Sequence, residues 1–310
     1  MTDREKLLID CDPGHDDAVA ILIGYRHFEL KAITTVHGNS ALENTTGNAL
    51  AVLELAGITD VPVAMGAAGP LVGAATHAAH VHGKSGLDGH EFPPPTTRPI
   101  SDHAVDLIIE TARQHQSALV LAVIGPATNI ALALRKEPRL VQWVKEVTVM
   151  GGSAGGGNIT PAAEFNTFCD PEAAAAVFGA GWPVRMVGYD ITRTVGIGPG
   201  QIAALRQSGK RTATAIADLL QFYLDRQVER FGIGIAPMHD ACALLPLLDP
   251  ASMDYVETRV EVELAGHFTR GMTVCDLRGG VIEEPNARVA VAPDRERLIG
   301  HMMDTVLSYP

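Results

Sequence analysis

Short apolar runs that end in Gly or polar residues alternate with stretches of helical spacing along most of this chain, the rhythm of a parallel sheet with crossover helices. Residues 7–10, 31–36, 62–65, 119–124, 146–150 and 184–187 read as strands. Residues 18–25, 45–56, 105–114, 128–134 and 171–178 read as the helices between them. Near the end, 256–264 and 271–275 look like a hairpin, followed by a strand at 287–292 and a helix at 295–307. The expected fold is α/β, an open and mostly parallel sheet flanked by helices, Rossmann-like with loop insertions around the site. One domain is expected over residues 1–310. No fixed period recurs, which excludes solenoids and propellers.

Two stretches break the rhythm. Residues 66–99 carry several glycines, His77, His80, His82 and His90, and the run Pro93-Pro94-Pro95. That is too loop-like for a core element and too long for an ordinary connection, so it is either a surface insertion or an active-site lid. Residues 201–231 form a long helical region interrupted near Gly209, leading into the glycine-containing segment 232–238.

Composition narrows the class. The 310 residues are 46% hydrophobic and 19% charged with a mean hydropathy of +0.13, enough to bury a large core and too apolar for disorder. Lys and Arg total 24 against 36 Asp and Glu, a formal net charge of −12. The averaged field repels phosphate backbones and anionic lipid, so nucleic acid and membrane are not expected partners. Cys11, Cys169, Cys242 and Cys275 lie far apart without CxxC spacing and read as reduced core thiols. No secretory h-region and no apolar run of membrane-spanning length is visible, so a cytoplasmic location is expected.

The most informative stretch is Asp10-Cys11-Asp12-Pro13-Gly14-His15-Asp16-Asp17, four carboxylates within eight residues at the end of a buried strand. Like charges a few ångströms apart raise one another's pKa unless a cation compensates, and hard oxygen ligands select Ca²⁺ or Mg²⁺. Capping of the next helix would account for one Asp, not four. In an open α/β sheet, ligands bind beyond the carboxyl ends of the strands, where this loop falls. Pro13-Gly14 turns the chain so that Asp12 and the Asp16-Asp17 pair can converge.

Residues 10–20 fit DxDPGxDDAxA at each fixed position, and in this the chain resembles the nucleoside hydrolases of the inosine/uridine-preferring type. Further blocks follow in that family's order: Ile33 to Asn39, His82-Gly83-Lys84-Ser85-Gly86-Leu87-Asp88-Gly89, and Gly125-Pro126-Ala127-Thr128-Asn129-Ile130-Ala131. Then come Met150-Gly151-Gly152, Gly157-Asn158, Ala163-Glu164-Phe165-Asn166 with Asp170-Pro171-Glu172, and Met238-His239-Asp240. The resemblance spans residues 7 to about 280 and implies hydrolysis of the N-glycosidic bond of ribonucleosides. It implies Ca²⁺ held by Asp12, Asp17, Asp240 and the backbone carbonyl of Thr128, with a water and the ribose 2′- and 3′-hydroxyls completing the shell and Asp10 behind them. Asp16 and Asn39 would bond the ribose diol. Asn158, Glu164 and Asn166 would hold the 3′- and 5′-hydroxyls, Phe165 lies in that block, and Met150 would lie beneath the sugar. Homodimers or homotetramers are expected from the family.

Cleaving such a bond passes through an oxocarbenium-like state, which needs an activated water on one face and help for the departing base on the other. Asp12 can accept the water's proton, while His239, beside Asp240, is the leading general acid. His82 is a second group able to reach the base, with His80 its rival in the same loop. His15 and His37 read as packing. Tyr223, Arg226, Gln227 and Phe231 could present one helical face to the base or simply pack the core. The glycine run 151–157 lacks the GK[ST] ending of a phosphate loop. Two rival readings are a haloacid-dehalogenase-like phosphatase, whose DxD also binds a cation, and a nucleoside- or ribose-binding protein without turnover. Phosphate release and reducing-sugar release separate the three.

Overall fold

The computed structural model describes residues 4–279 and 284–310. In chain order the strands are β1 (Lys6–Cys11), β2 (Glu29–Thr35), β3 (Val63–Met65), β4 (Leu119–Val123), β5 (Val144–Met150), β6 (Val184–Val187), β7 (Gly196–Ile197), β8 (Ala236–Pro237), β9 (Met253–Thr258), β10 (Val260–Val262), β11 (Thr273–Cys275) and β12 (Ala287–Pro293). Eight of them form one sheet in the order β3-β2-β1-β4-β5-β6-β12-β9. All neighbours run parallel except β9, which is antiparallel to β12. The large, mostly parallel sheet flanked by helices is the α/β class expected from the pattern.

The winding explains where a site forms. The chain steps from β1 to β2 and β3 in one direction, then crosses back to place β4, β5 and β6 on the other side of β1. The junction of β1 and β4 is therefore the switch point, where the flanking helices diverge and leave a crevice beyond the strand ends. Leu7 to Ile9 of β1 are apolar because both faces of the strand are covered: Leu7, Ile9 and Cys11 enter one core, Leu8 the other. The helix His15–His27 follows and is buried from His15 to Gly24, which is why its stretch Ala18 to Gly24 is apolar all round. It packs against the helices Leu42–Leu55, Arg211–Phe231, Ala241–Leu248 and Arg295–Leu307.

The long helical region divides as expected, into Pro199–Gln207 and Arg211–Phe231, with Gly209 between them at φ +67°. The 66–99 insertion holds one short helix, Ala79–His82, and is tied down rather than loose. Leu71 N donates to Asp170, and Thr96 and Thr97 bond Glu54. One expectation needs correction: residues 256–264 are not a single hairpin strand. Residues up to Thr258 belong to β9 in the main sheet, and the hairpin partner of β11 is only β10. Apolar alternation continues across Arg259, and it is the change of partner that divides the segment. Among the described residues, no helix is long and apolar enough to cross a membrane.

Candidate active site

Asp12 follows β1 directly, and the turn at Pro13-Gly14 sends the chain into the helix His15–His27. Asp17 Oδ2 accepts the Gly14 amide at 2.8 Å, so the capping carboxylate is drawn back towards the strand end. Asp16 and Asp17 occupy the first turn, where the helix dipole favours negative charge. Asp240 arrives from the other end of the chain, just before the helix Ala241–Leu248 that packs on His15–His27. Asp16, Asp17 and Asp240 each offer an oxygen within 4.8 Å of the others. Asp12 stands outside that trio in the same crevice, with Oδ2 accepting Asn39 N at 2.7 Å.

Burial is the largest force on all four carboxyls, and repulsion from neighbouring carboxylates adds to it at Asp12, Asp16 and Asp240. Asp16 and Asp17 are pushed up to about 6, and Asp12 and Asp240 rise well above the usual carboxylate range. Oδ1 of Asp17 is buried without a hydrogen-bond partner. Clustered hard oxygen donors, raised pKa values and an orphaned carboxylate oxygen fit a divalent cation. Asp10 lies behind them on β1, accepting Thr34 Oγ1 at 2.6 Å and Asn129 Nδ2 at 2.8 Å, with burial lifting it to about 7.

Thr128 is not brought to this cluster. It opens the helix Thr128–Lys136, so its carbonyl points down that helix, and its hydroxyl donates to Asp170 at 2.7 Å. Ile124, immediately after β4, lines the crevice instead, and its carbonyl accepts Asn166 Nδ2 at 3.1 Å.

The crevice opens into a cavity of about 810 Å³, its mouth included. Asp12, Asp16, Asn39, Met150, Asn158 and Asp240 line it with Glu164, Phe165, Asn166, His82 and His239, so the expected substrate-binding residues come together. The two asparagines are fixed by their amide nitrogens. Asn39 donates to the Asp12 carbonyl and to Asp17, and Asn166 to the carbonyls of Ile124 and Met150. Each therefore keeps its Oδ1 as an acceptor. Glu164 accepts the amides of Gly152, Asn166 and Thr167, and burial still pushes it up to about 7. His239 is held at Nδ1 by Thr192 Oγ1, 2.7 Å away, and its amide donates to Asp16; burial lowers its pKa while Asp16 opposes that shift.

Tyr223, Gln227 and Phe231 line the cavity, whereas Arg226 turns away to Glu229. His80 lines it as well as His82. Tyr189 and Arg193 are lining residues that sequence reasoning missed. Their signal was available, since Gly188 follows β6 and the strand-end rule applies there as it does after β1.

The model of the inosine-uridine preferring nucleoside hydrolases matches residues 7–300. The chain belongs to that family. It is thus a hydrolase acting on N-glycosyl bonds of ribonucleosides, and the phosphatase reading is set aside. A pyrimidine-specific ribonucleoside hydrolase RihA of Escherichia coli strain K12 is 42% identical over 306 residues, 98% of each chain. Among solved structures, the plant nucleoside hydrolase PpNRh1 superposes with a TM-score of 0.91 at 31% identity, covering 98% of this chain and 99% of that one. A purine-preferring ribonucleoside hydrolase from Gardnerella vaginalis gives 0.92 at 29%, with 98% of each chain covered.

Proposed function

We propose that this nucleoside hydrolase is a Ca²⁺-dependent enzyme that cleaves ribonucleosides to ribose and free base, with pyrimidine nucleosides such as uridine and cytidine as its main substrates. The carrying observation is the acidic crevice, buried carboxyls at a strand end beside a wall of fixed acceptors. The likeness to the pyrimidine-specific relative supports the choice of base. Asp12, Asp17 and Asp240 would hold the cation, with the carbonyl of Ile124 a better-placed fourth donor than that of Thr128. When bound, the ion compensates the clustered negative charge and acts as a Lewis acid towards the attacking water.

The chain's own groups divide the remaining work. Asp12 takes a proton from the water. Asp16 and the Oδ1 atoms of Asn39 and Asn166 accept from the sugar hydroxyls, with Asn158 and Glu164 completing the polar wall and Met150 forming an apolar floor. Because this wall is built mainly of acceptors and carboxylates, it suits a neutral polyol and repels a 5′-phosphate. The same carboxylates favour positive charge developing on the sugar in the transition state. His239, fixed by Thr192, is placed to protonate the departing base.

A steady-state panel tests the reading. Uridine and cytidine should release reducing sugar, and 2′-deoxyuridine should lose several kcal/mol of transition-state binding because Asp16 is left unmatched. Equal kcat/KM for uridine and 2′-deoxyuridine would contradict the assignment of the diol site. Location in the cytoplasm and assembly into dimers or tetramers belong to the same proposal.

A further inference from the structure

His15 reads from sequence as packing beside the acidic loop, but both of its ring nitrogens are engaged. The ring is fully buried and stacks on His82 at 5.2 Å and on Phe222 and Tyr223 at 5.4 Å each. Nε2 lies 2.8 Å from the carbonyl oxygen of Asp88, and Nδ1 lies 2.9 Å from Nδ1 of His82. A carbonyl oxygen only accepts, and neither nitrogen bonds a carboxylate that would compensate a cationic ring at this depth. The single ring proton of His15 therefore sits on Nε2, leaving Nδ1 as an acceptor. The hydrogen that fills the 2.9 Å gap then belongs to Nδ1 of His82. The other approach to that atom, from the His15 amide at 3.5 Å, is at the limit of a hydrogen bond and does not compete.

Gly14 makes the arrangement sterically possible, since a Cβ there would lie 2.7 Å from Nδ1 of His82. His82 itself lines the substrate cavity, and its Nε2 has no hydrogen-bond partner among the described residues.

We propose that His15 is a positioning residue: anchored by the Asp88 carbonyl, it locks His82 as the Nδ1–H tautomer, so that His82 offers the cavity a bare Nε2 that accepts a hydrogen bond from an N–H of the nucleobase. Only the identity of the ligand rests on the hydrolase reading; the tautomer is a property of the free protein. In this state His82 accepts and does not donate, which assigns it to base recognition and leaves protonation of the leaving group to His239. Uracil, cytosine and hypoxanthine all carry an N–H that could meet such an acceptor. The p-nitrophenyl group carries none.

Long-range ¹H–¹⁵N spectra of the full chain with ¹⁵N-labelled histidine read the tautomer directly. His82 should show a protonated Nδ1 and an unprotonated Nε2. His15→Phe keeps a stacked ring without an acceptor and should release His82 towards the Nε2–H form. His15→Gln can accept through its amide oxygen and donate to Asp88 through its nitrogen, and should restore the lock. In kinetics, the ratio of kcat/KM for uridine over p-nitrophenyl riboside should fall about tenfold in His15→Phe, the worth of one hydrogen bond, and recover in His15→Gln. Protonated Nε2 on His82 in the unaltered protein overturns the proposal, as does an equal loss on both substrates in His15→Phe. Failure of the unaltered protein to hydrolyse any nucleoside would instead sink the substrate reading, with the spectra still deciding the tautomer.

Discussion

Glu164 ties the cavity to stability. Its pKa rises from 4.5 to about 7 because burial outweighs the three amides that favour the anion. The folded chain thus holds this proton more tightly than the unfolded chain does. The stabilisation is fully present below pH 4.5 and is lost as pH rises through about 7. A tenfold difference in proton affinity between the two states is worth roughly 1.4 kcal/mol, so the slope should show in chemical denaturation followed from pH 5 to 8. Glu164→Gln, neutral throughout, should flatten that part of the profile; an unchanged slope would show that Glu164 is not its source. His239 is tested through the leaving group. A nucleobase needs a proton to depart, and p-nitrophenolate does not. His239→Ala should lose roughly 10²- to 10⁴-fold on uridine while keeping most activity on p-nitrophenyl riboside. Asp12→Ala should damage both, because each substrate needs the activated water. Parallel losses in the His239 variant would reduce it to a structural role.

The unit formed by β1, the turn and the helix His15–His27 sets the geometry from which the rest is built. A Cβ on Gly14 would sit 2.7 Å from His82 Nδ1 and 2.8 Å from Asn39 Nδ2, displacing both the base acceptor and the brace of Asp12 and Asp17. Gly14→Ala should therefore lower kcat/KM roughly 10²-fold, the scale expected from misplacing groups by about 1 Å. Activity within twofold of the unaltered chain would mean that these contacts relax freely. This unit was legible in the sequence because its signals are local: an apolar run, a Pro-Gly turn, acids in the first helical turn. Which residue after β4 faces the crevice was not, since whether it is Ile124 or Thr128 depends on where β4 stops and the next helix starts. The role of His15 was hidden for another reason. Its partner His82 lies 67 residues away, in an insertion without regular periodicity. The boundary between β9 and β10 likewise depends on which strand each one meets.

Across the molecule, the order β3-β2-β1-β4-β5-β6 puts the acidic strand end at the switch point of the sheet, and the packing of Ala241–Leu248 on His15–His27 delivers Asp240 from a distant part of the chain. The fold thus gathers carboxyls in a crevice whose charge a bound cation would compensate. Reducing-sugar release from uridine by chelator-stripped protein, titrated with Ca²⁺, is the most direct test. Stripped protein should show no turnover, and Ca²⁺ should restore it. Undiminished hydrolysis by demonstrably metal-free protein, or none at saturating Ca²⁺, would contradict the account.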